Sequence, residues 1–251
     1  VQSITEVPLS IDSSIVAALM QQQVRSAGGP PIRTVSVGFA ESAFDETPYA
    51  AAVAAKIGSA HTRLEVRGDQ RVIETLSDLM TRGLGQPFAD SSILPTFHLS
   101  AAVRGLAPVA LSGDGADELF NGYDRYRAMA LLAKWNGVAR WLPRRAPLGS
   151  LKRQERYRRL AAAARAQIPS ERYSRLVEIF SPALAEELVG QPLIDWFPLP
   201  EEYGLHDDAA PARLARIRDQ QEYLPGDVLW IVDTAAMHIG LEVRSPFLDH
   251  R

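Results

Sequence analysis

Residues 111–123 read "LSGDGADELFNGY" and follow a short apolar run, "APVA". Glycine-rich turns after strands receive phosphates through bare backbone N–H groups. This turn instead carries three acids, Asp114, Asp117 and Glu118, and no lysine. Acids fit beside a phosphate when a divalent cation lies between them, because Mg²⁺ takes one or two carboxylates together with phosphate oxygens. On that reading Asp117 ligates Mg²⁺, the metal bridges to pyrophosphate, and the following helix start favours the anion. The same residues also suit an ordinary turn whose acids complement the helix dipole. Spacing alone leaves both readings open.

A second candidate is "LSIDSSIVAALM" (9–20), where Asp12 precedes Ser13 and Ser14 at a helix start. Taken alone it is a capped helix, with Asp12 and Ser13 as N-cap candidates. If this start faces the same sheet edge as residues 112–118, Asp12 and Asp117 can share Mg²⁺ while the Ser13 and Ser14 N–H groups hold pyrophosphate. Other chemistries find less support. There is no GxxxxGK[ST] phosphate loop and no nucleophile elbow. With no cysteine, thiolate metal sites, disulfides and cysteine nucleophiles are excluded within the chain. The five histidines lack metal-ligand spacing and read as surface or hydrogen-bonded residues. The basic stretch 144–165 reads as a solvated helix face. The four tryptophans read as core anchors.

The elements that must position these residues follow from pattern. Strands are expected at 34–39, 61–66 and 107–113, from β-branched and apolar runs bounded by turn residues. Helices are expected at 14–28, with Ile15, Ala18 and Leu19 on its apolar face, and at 46–58, 71–83, 91–105 and from 115 onward. Alternation of the two implies right-handed βαβ units and a parallel sheet flanked by helices. From about residue 120 strand signals stop, and "RYRRLAAAARAQI", "RYSRLVEIF", "PALAEELVG" and "PARLARIRDQQEYL" all read as helices. The expected division is an α/β nucleotide-binding part, 1–126, and a helical part, 127–251. With 251 residues and a net charge of −3, the chain as a whole is no electrostatic nucleic-acid binder. No apolar run is long enough to span a bilayer, and the N-terminal stretch lacks the pattern of a secretory signal. A cytoplasmic location is the default expectation.

The four segments "SGDGADELFNGYDRY", "FDETPYA", "QPFADSSILPT" and "LEVRSPFLDHR" together resemble the synthetase domain of glutamine-dependent asparagine synthetases. That group includes β-lactam synthetases and belongs to the wider ATP pyrophosphatase (PP-loop) class, whose fold is adenine nucleotide α-hydrolase-like. The resemblance runs from about residue 5 to the last residue. It implies that ATP and Mg²⁺ activate the side-chain carboxylate of aspartate as an acyl-adenylate, releasing pyrophosphate, and that ammonia then gives asparagine and AMP. It implies that Val37 contacts adenine through its backbone, that Ser112 and Gly113 border the nucleotide, and that Ser13 and Ser14 serve pyrophosphate. Asp12 and Asp117 would bind Mg²⁺. Asp114 stands where the family has an acid implicated in amidation, and Glu118 would support the substrate side. A glutaminase domain in the full-length protein and a homodimer are further implications.

The sequence also departs from the family pattern. The pyrophosphate loop S-G-G-x-D-S-S retains Asp12, Ser13 and Ser14, while Leu9 and Ser10 stand in place of its glycines. A missing segment between Leu9 and Ser10 is the expectation, testable by a Cα spacing well beyond 3.8 Å. The glutaminase domain and the C-terminal end, with its neutralising lysine, are expected to be absent, and "GQP" and Thr234 replace residues common in the family. Two alternatives stay open: a related amidotransferase or β-lactam-type cyclase acting on another carboxylate, and an inactive fragment serving only as a folded binding module.

Overall fold

The computed structural model describes residues 3–6, 11–39, 47–66, 72–85, 88, 90–135, 151–192 and 210–250. The expected gap at Leu9 and Ser10 lies outside the described residues, as do Trp141 and Trp196. By its internal contacts the chain forms two compact units, one of residues 1–116 with 222–251 and the other of residues 117–221. The sequence pattern suggests a single division at 126. The chain instead leaves the first unit after Ala116 and re-enters it at Glu222.

The first unit is built on a parallel sheet, ordered β3-β2-β1-β4-β5. Its strands are β1 (Ser3–Glu6), β2 (Arg33–Phe39), β3 (Ala60–Val66), β4 (Val109–Leu111) and β5 (Glu242–Arg244). In β2 three successive residues, Thr34, Val35 and Ser36, are buried, as a strand covered on both faces requires. Helices α1 (Ile11–Ser26), α2 (Thr47–Ile57), α3 (Val72–Asp78) and α4 (Ile93–Arg104) follow the first strands. Val35 and Ala110 of the sheet pack with Val103, Ala107, Ala236 and Leu241. Ala17 of α1 packs with Ile32 and Ala50.

Three expectations are corrected. The helix at 14–28 begins earlier, at Ile11, so Asp12, Ser13 and Ser14 lie inside its first turn rather than at the cap. Its buried face is Ser13, Val16, Ala17 and Gln21, whereas Ile15 is 42% and Leu19 58% exposed. Gln21 is inward because its Oε1 accepts from the Ile32 N–H at 2.9 Å, which satisfies a buried amide. Secondly, a strand, β5, occurs within the region read as all-helical. Its register Val109↔Glu242 to Leu111↔Arg244 adds it to the sheet edge, and three residues are too few for alternation to betray. Thirdly, Trp135 and Trp230 are 56% and 42% exposed and anchor no core.

The second unit is helical: α6 (Asp124–Lys134), α7 (Leu151–Ala163), α8 (Pro169–Val177), α9 (Pro182–Val189) and α10 (Pro211–Arg218), with the short α5 (Ala116–Phe120) leading into it. Proline opens three of these helices, a position where its missing N–H has no helical partner to lose. Tyr126, Met129, Tyr173 and Ala215 form one core cluster, and Leu132, Ala163 and Ala164 another. In the basic stretch, Arg158 and Arg159 of α7 pair with Glu155 one turn back.

Candidate active site

The strand order reverses between β1 and β4: β2 and β3 lie on one side, β5 on the other. In open parallel sheets the crevice at such a reversal, outside the carboxyl ends of the strands, receives ligands. The two candidate motifs are the segments that leave β1 and β4 there. Register carries Val37 to the same edge. Thr5 of β1 is level with Thr34 on one side and Leu111 on the other, so Ser112 and Val37 both lie past that level.

The turn after β4 is held to α1 and to the chain's last segment. A Cβ on Gly113 would approach Ser13 Oγ to 2.6 Å and Ser13 N to 2.8 Å, with Asp12 Cβ at 3.2 Å. The turn backbone therefore lies directly on the first turn of α1, an approach that any side chain at 113 would block. Gly115 has φ +88°, a left-handed conformation that glycine adopts without penalty. A Cβ there would also run into Leu248. The Ser112 N–H donates to Arg244 O at 2.9 Å. Its hydroxyl donates to Asp114 Oδ2 at 2.7 Å and lies 3.0 Å from Ser245 Oγ. Within the first unit the structure thus brings together Asp12, Ser13, Ser112, Gly113 and Asp114. Burial pushes the Asp114 carboxyl above its ordinary value, and the Ser112 hydroxyl opposes that push.

Asp117 and Glu118 belong to the second unit. The Gly122 N–H donates to Asp117 O at 3.0 Å, and a Cβ on Gly122 would run into the Asp117 carboxylate. Glu118 is 1% exposed. Its carboxylate accepts from Tyr123 Oη at 2.8 Å, and its carbonyl accepts from Gln220 Nε2 at 2.8 Å. Burial raises the Glu118 carboxyl above its ordinary value. The Tyr123 hydroxyl works against this, and the charges of Asp117 and Asp219 work with it.

Sequence reasoning missed Asp219, which is 3% exposed in the second unit. Its carboxylate takes Arg125 Nε at 2.8 Å, Tyr126 Oη at 2.7 Å and the Tyr173 hydroxyl. Burial first, and Asp219 next, push both phenols well above their usual range, so both remain donors. No local signal marks this cluster, because its members lie 46 to 94 residues apart from Asp219 in sequence. Ser245 was also missed as a site residue, although "RSPFLD" was part of the quoted resemblance. Of the histidines, His61 lies between the Thr34 and Ser36 hydroxyls, and His238 meets Asp78 at 2.8 Å.

The sequence profile described as Asparagine synthase matches residues 10–251. The chain belongs to the asparagine synthase family. Curated relatives agree with the assignment. A putative glutamine-hydrolyzing asparagine synthetase of Mycobacterium tuberculosis is 31% identical over 246 residues, 95% of this chain and 36% of its own length. A glutamine-hydrolyzing asparagine synthetase of Bacillus subtilis is 26% identical over 243 residues, 95% of this chain and 37% of its own length. In Methanocaldococcus jannaschii a further putative member is 35% identical over 113 residues, 45% of this chain and 21% of its own length. The chain therefore spans little more than a third of the first two relatives. In this asparagine synthase domain a metal–nucleotide would find a carboxylate oxygen at Asp12 and N–H groups in the first turn of α1, beside the Gly113 turn. Among the described residues no group of three or more His, Cys, Asp or Glu gathers. One or two carboxylates is the number Mg²⁺ takes when phosphate completes its shell. No helix among the described residues is long and apolar enough to cross a membrane.

Proposed function

We propose that this chain performs the ATP-dependent amidation of aspartate. In this reading the side-chain carboxylate becomes a β-aspartyl-adenylate with release of pyrophosphate, and ammonia displaces AMP to give asparagine. The observation that carries it is the packing of Gly113 onto Ser13 and Asp12 at the strand-order reversal. It joins two motifs that either could be read as plain helix starts. The Val37 backbone would meet adenine, and Ser112 and Gly113 would border the nucleotide. Ser13 and Ser14 would hold the pyrophosphate. Asp12 would hold Mg²⁺, whose charge offsets the repulsion between a polyphosphate and a substrate carboxylate in a partly dry cleft, and Asp117 is the further carboxylate that the family resemblance assigns to the metal. Asp114, its pKa raised by burial, would handle the proton of the attacking amine. Glu118 would support the substrate side. The fold this implies is the ATP-pyrophosphatase arrangement. The glutamine-hydrolyzing activity in the names of the relatives favours a glutaminase domain as the ammonia source in the longer protein, with a homodimer and a cytoplasmic location as parts of the same proposal.

The test is pyrophosphate release by the full-length protein with ATP, Mg²⁺, aspartate and saturating ammonium. The expected result is aspartate-dependent release, lowered about 10²–10⁴-fold by Asp114→Asn. No release under these conditions would overturn the reading. Release with another carboxylate but not aspartate would replace it with a related amidating or β-lactam-forming enzyme.

A further inference from the structure

Asp114 is held by one hydroxyl, and that hydroxyl is itself held. A carboxylate only accepts, so the bond at 2.7 Å consumes the single proton of Ser112. The 3.0 Å contact between Ser112 Oγ and Ser245 Oγ must then use the Ser245 proton. The direction of the chain is Ser245 to Ser112 to Asp114 Oδ2. Oδ1 of Asp114 takes no hydrogen bond among the described residues. Ser245 is placed by its surroundings rather than by chance rotation. Pro246 restricts its backbone to the extended region, where it lies at φ −110° and ψ 94°. Arg244 O accepts from the Ser112 N–H, the Leu248 N–H bonds Ser245 O at 3.0 Å, and Leu248 lies against Gly115.

We propose that Ser245 is a positioning residue for Asp114: by donating to Ser112 it commits the Ser112 proton to Oδ2 and leaves Oδ1 for the reacting amine. This rests on the reading of Asp114 as the acid of the amidation step. Hydrogen bonds in series polarise one another, so removing the outer donor weakens the inner bond to the charged carboxylate. The charged groups on the elements around this turn are Asp12 of α1, Asp249 after Leu248 and the Arg244–Glu242 pair of β5, 2.7 Å apart, with Asp117 and Glu118 following in α5. None of them appears among the influences on Asp114, which are burial and Ser112.

In the full-length protein, Ser245→Ala is expected to lower kcat for ammonium-dependent pyrophosphate release about tenfold, the size of one lost hydrogen bond. KM for ATP should hold. The acidic limb of the pH–kcat profile should move upward, because the ionised carboxylate has lost support. The double variant with Ser112→Ala should be no worse than Ser112→Ala alone. Ser245→Thr, which keeps the hydroxyl, should return the limb toward its original place. An unmoved limb in Ser245→Ala, or additive losses in the double variant, would overturn the inference. Asp114→Asn separates the two levels of claim. If it retains full activity, the role of Asp114 itself fails. If it loses activity while Ser245→Ala leaves the limb in place, only the role of Ser245 fails.

Discussion

Asp114 in the first unit and Asp219 in the second are both carboxylates drawn out of water, and their surroundings differ in kind. Asp219 meets a guanidinium and two phenols, so its oxygens are occupied and its charge is countered. Asp114 meets one hydroxyl and no cation among the described residues. A carboxylate that takes three donors and faces a guanidinium charge is held as architecture, because both of its oxygens already accept. One left short of donors sits at a raised pKa with an oxygen free, the condition in which it can exchange a proton. The difference separates a carboxylate tied to a guanidinium and two phenols from one held by a single hydroxyl, without reference to their sequence neighbours.

Several substitutions break or sharpen this contrast. The largest effect is expected at Asp219. Asp219→Ala leaves the Arg125 guanidinium and two buried hydroxyls without their acceptor, and should destabilise the protein by about 3–5 kcal/mol in denaturant unfolding. A loss near zero would mean that the cluster is no keystone. Next comes the turn that carries Asp114. Gly115→Ala combines a left-handed φ with a collision at Leu248, and should cost about 1–3 kcal/mol. Adding Leu248→Ala should recover the steric share and leave the dihedral share.

The third prediction has the opposite sign. Because the folded-state pKa of Asp114 is raised, the native protein holds that proton more tightly than the unfolded chain does. Stability from this group is present below the ordinary carboxylate range and lost as pH rises toward the raised value. Asp114→Asn should therefore melt at a higher temperature than the parent at neutral pH, and the advantage should vanish in acid. The smallest effect is expected at Tyr123→Phe. This removes the donor that opposes the raised pKa of Glu118, at about 0.5–1.5 kcal/mol. The deficit should be wider at pH 8 than at pH 4. A deficit independent of pH would assign Tyr123 a packing role alone.

Much of the candidate site was legible because it is local. Ser112, Gly113, Asp114, Asp117 and Glu118 lie within one turn, and Asp12, Ser13 and Ser14 within another, so type and spacing flag them. The parallel strands β2 and β3 were legible because β-branched runs alternate with helices. The inward face of α1 was not. Gln21 is buried through a hydrogen bond to Ile32, while Ile15 and Leu19 stay out, and hydrophobicity alone points the other way. Nor was β5, whose three residues become a strand only by pairing with β4.

By itself, then, the sequence determined the chemical types on offer: acids without lysine in a glycine turn, serines after an aspartate, and a strand–helix alternation that closes into a parallel sheet. Tertiary structure decided which of those groups meet. Gly113 lies on Ser13, Ser245 reaches Ser112 from 133 residues away, and Asp219 collects its donors from two other helices. The reason is physical. Residue type and short-range spacing fix what a side chain can donate or accept, but burial and partners depend on contacts between distant segments, and those alone decide whether a carboxylate is used up or left free.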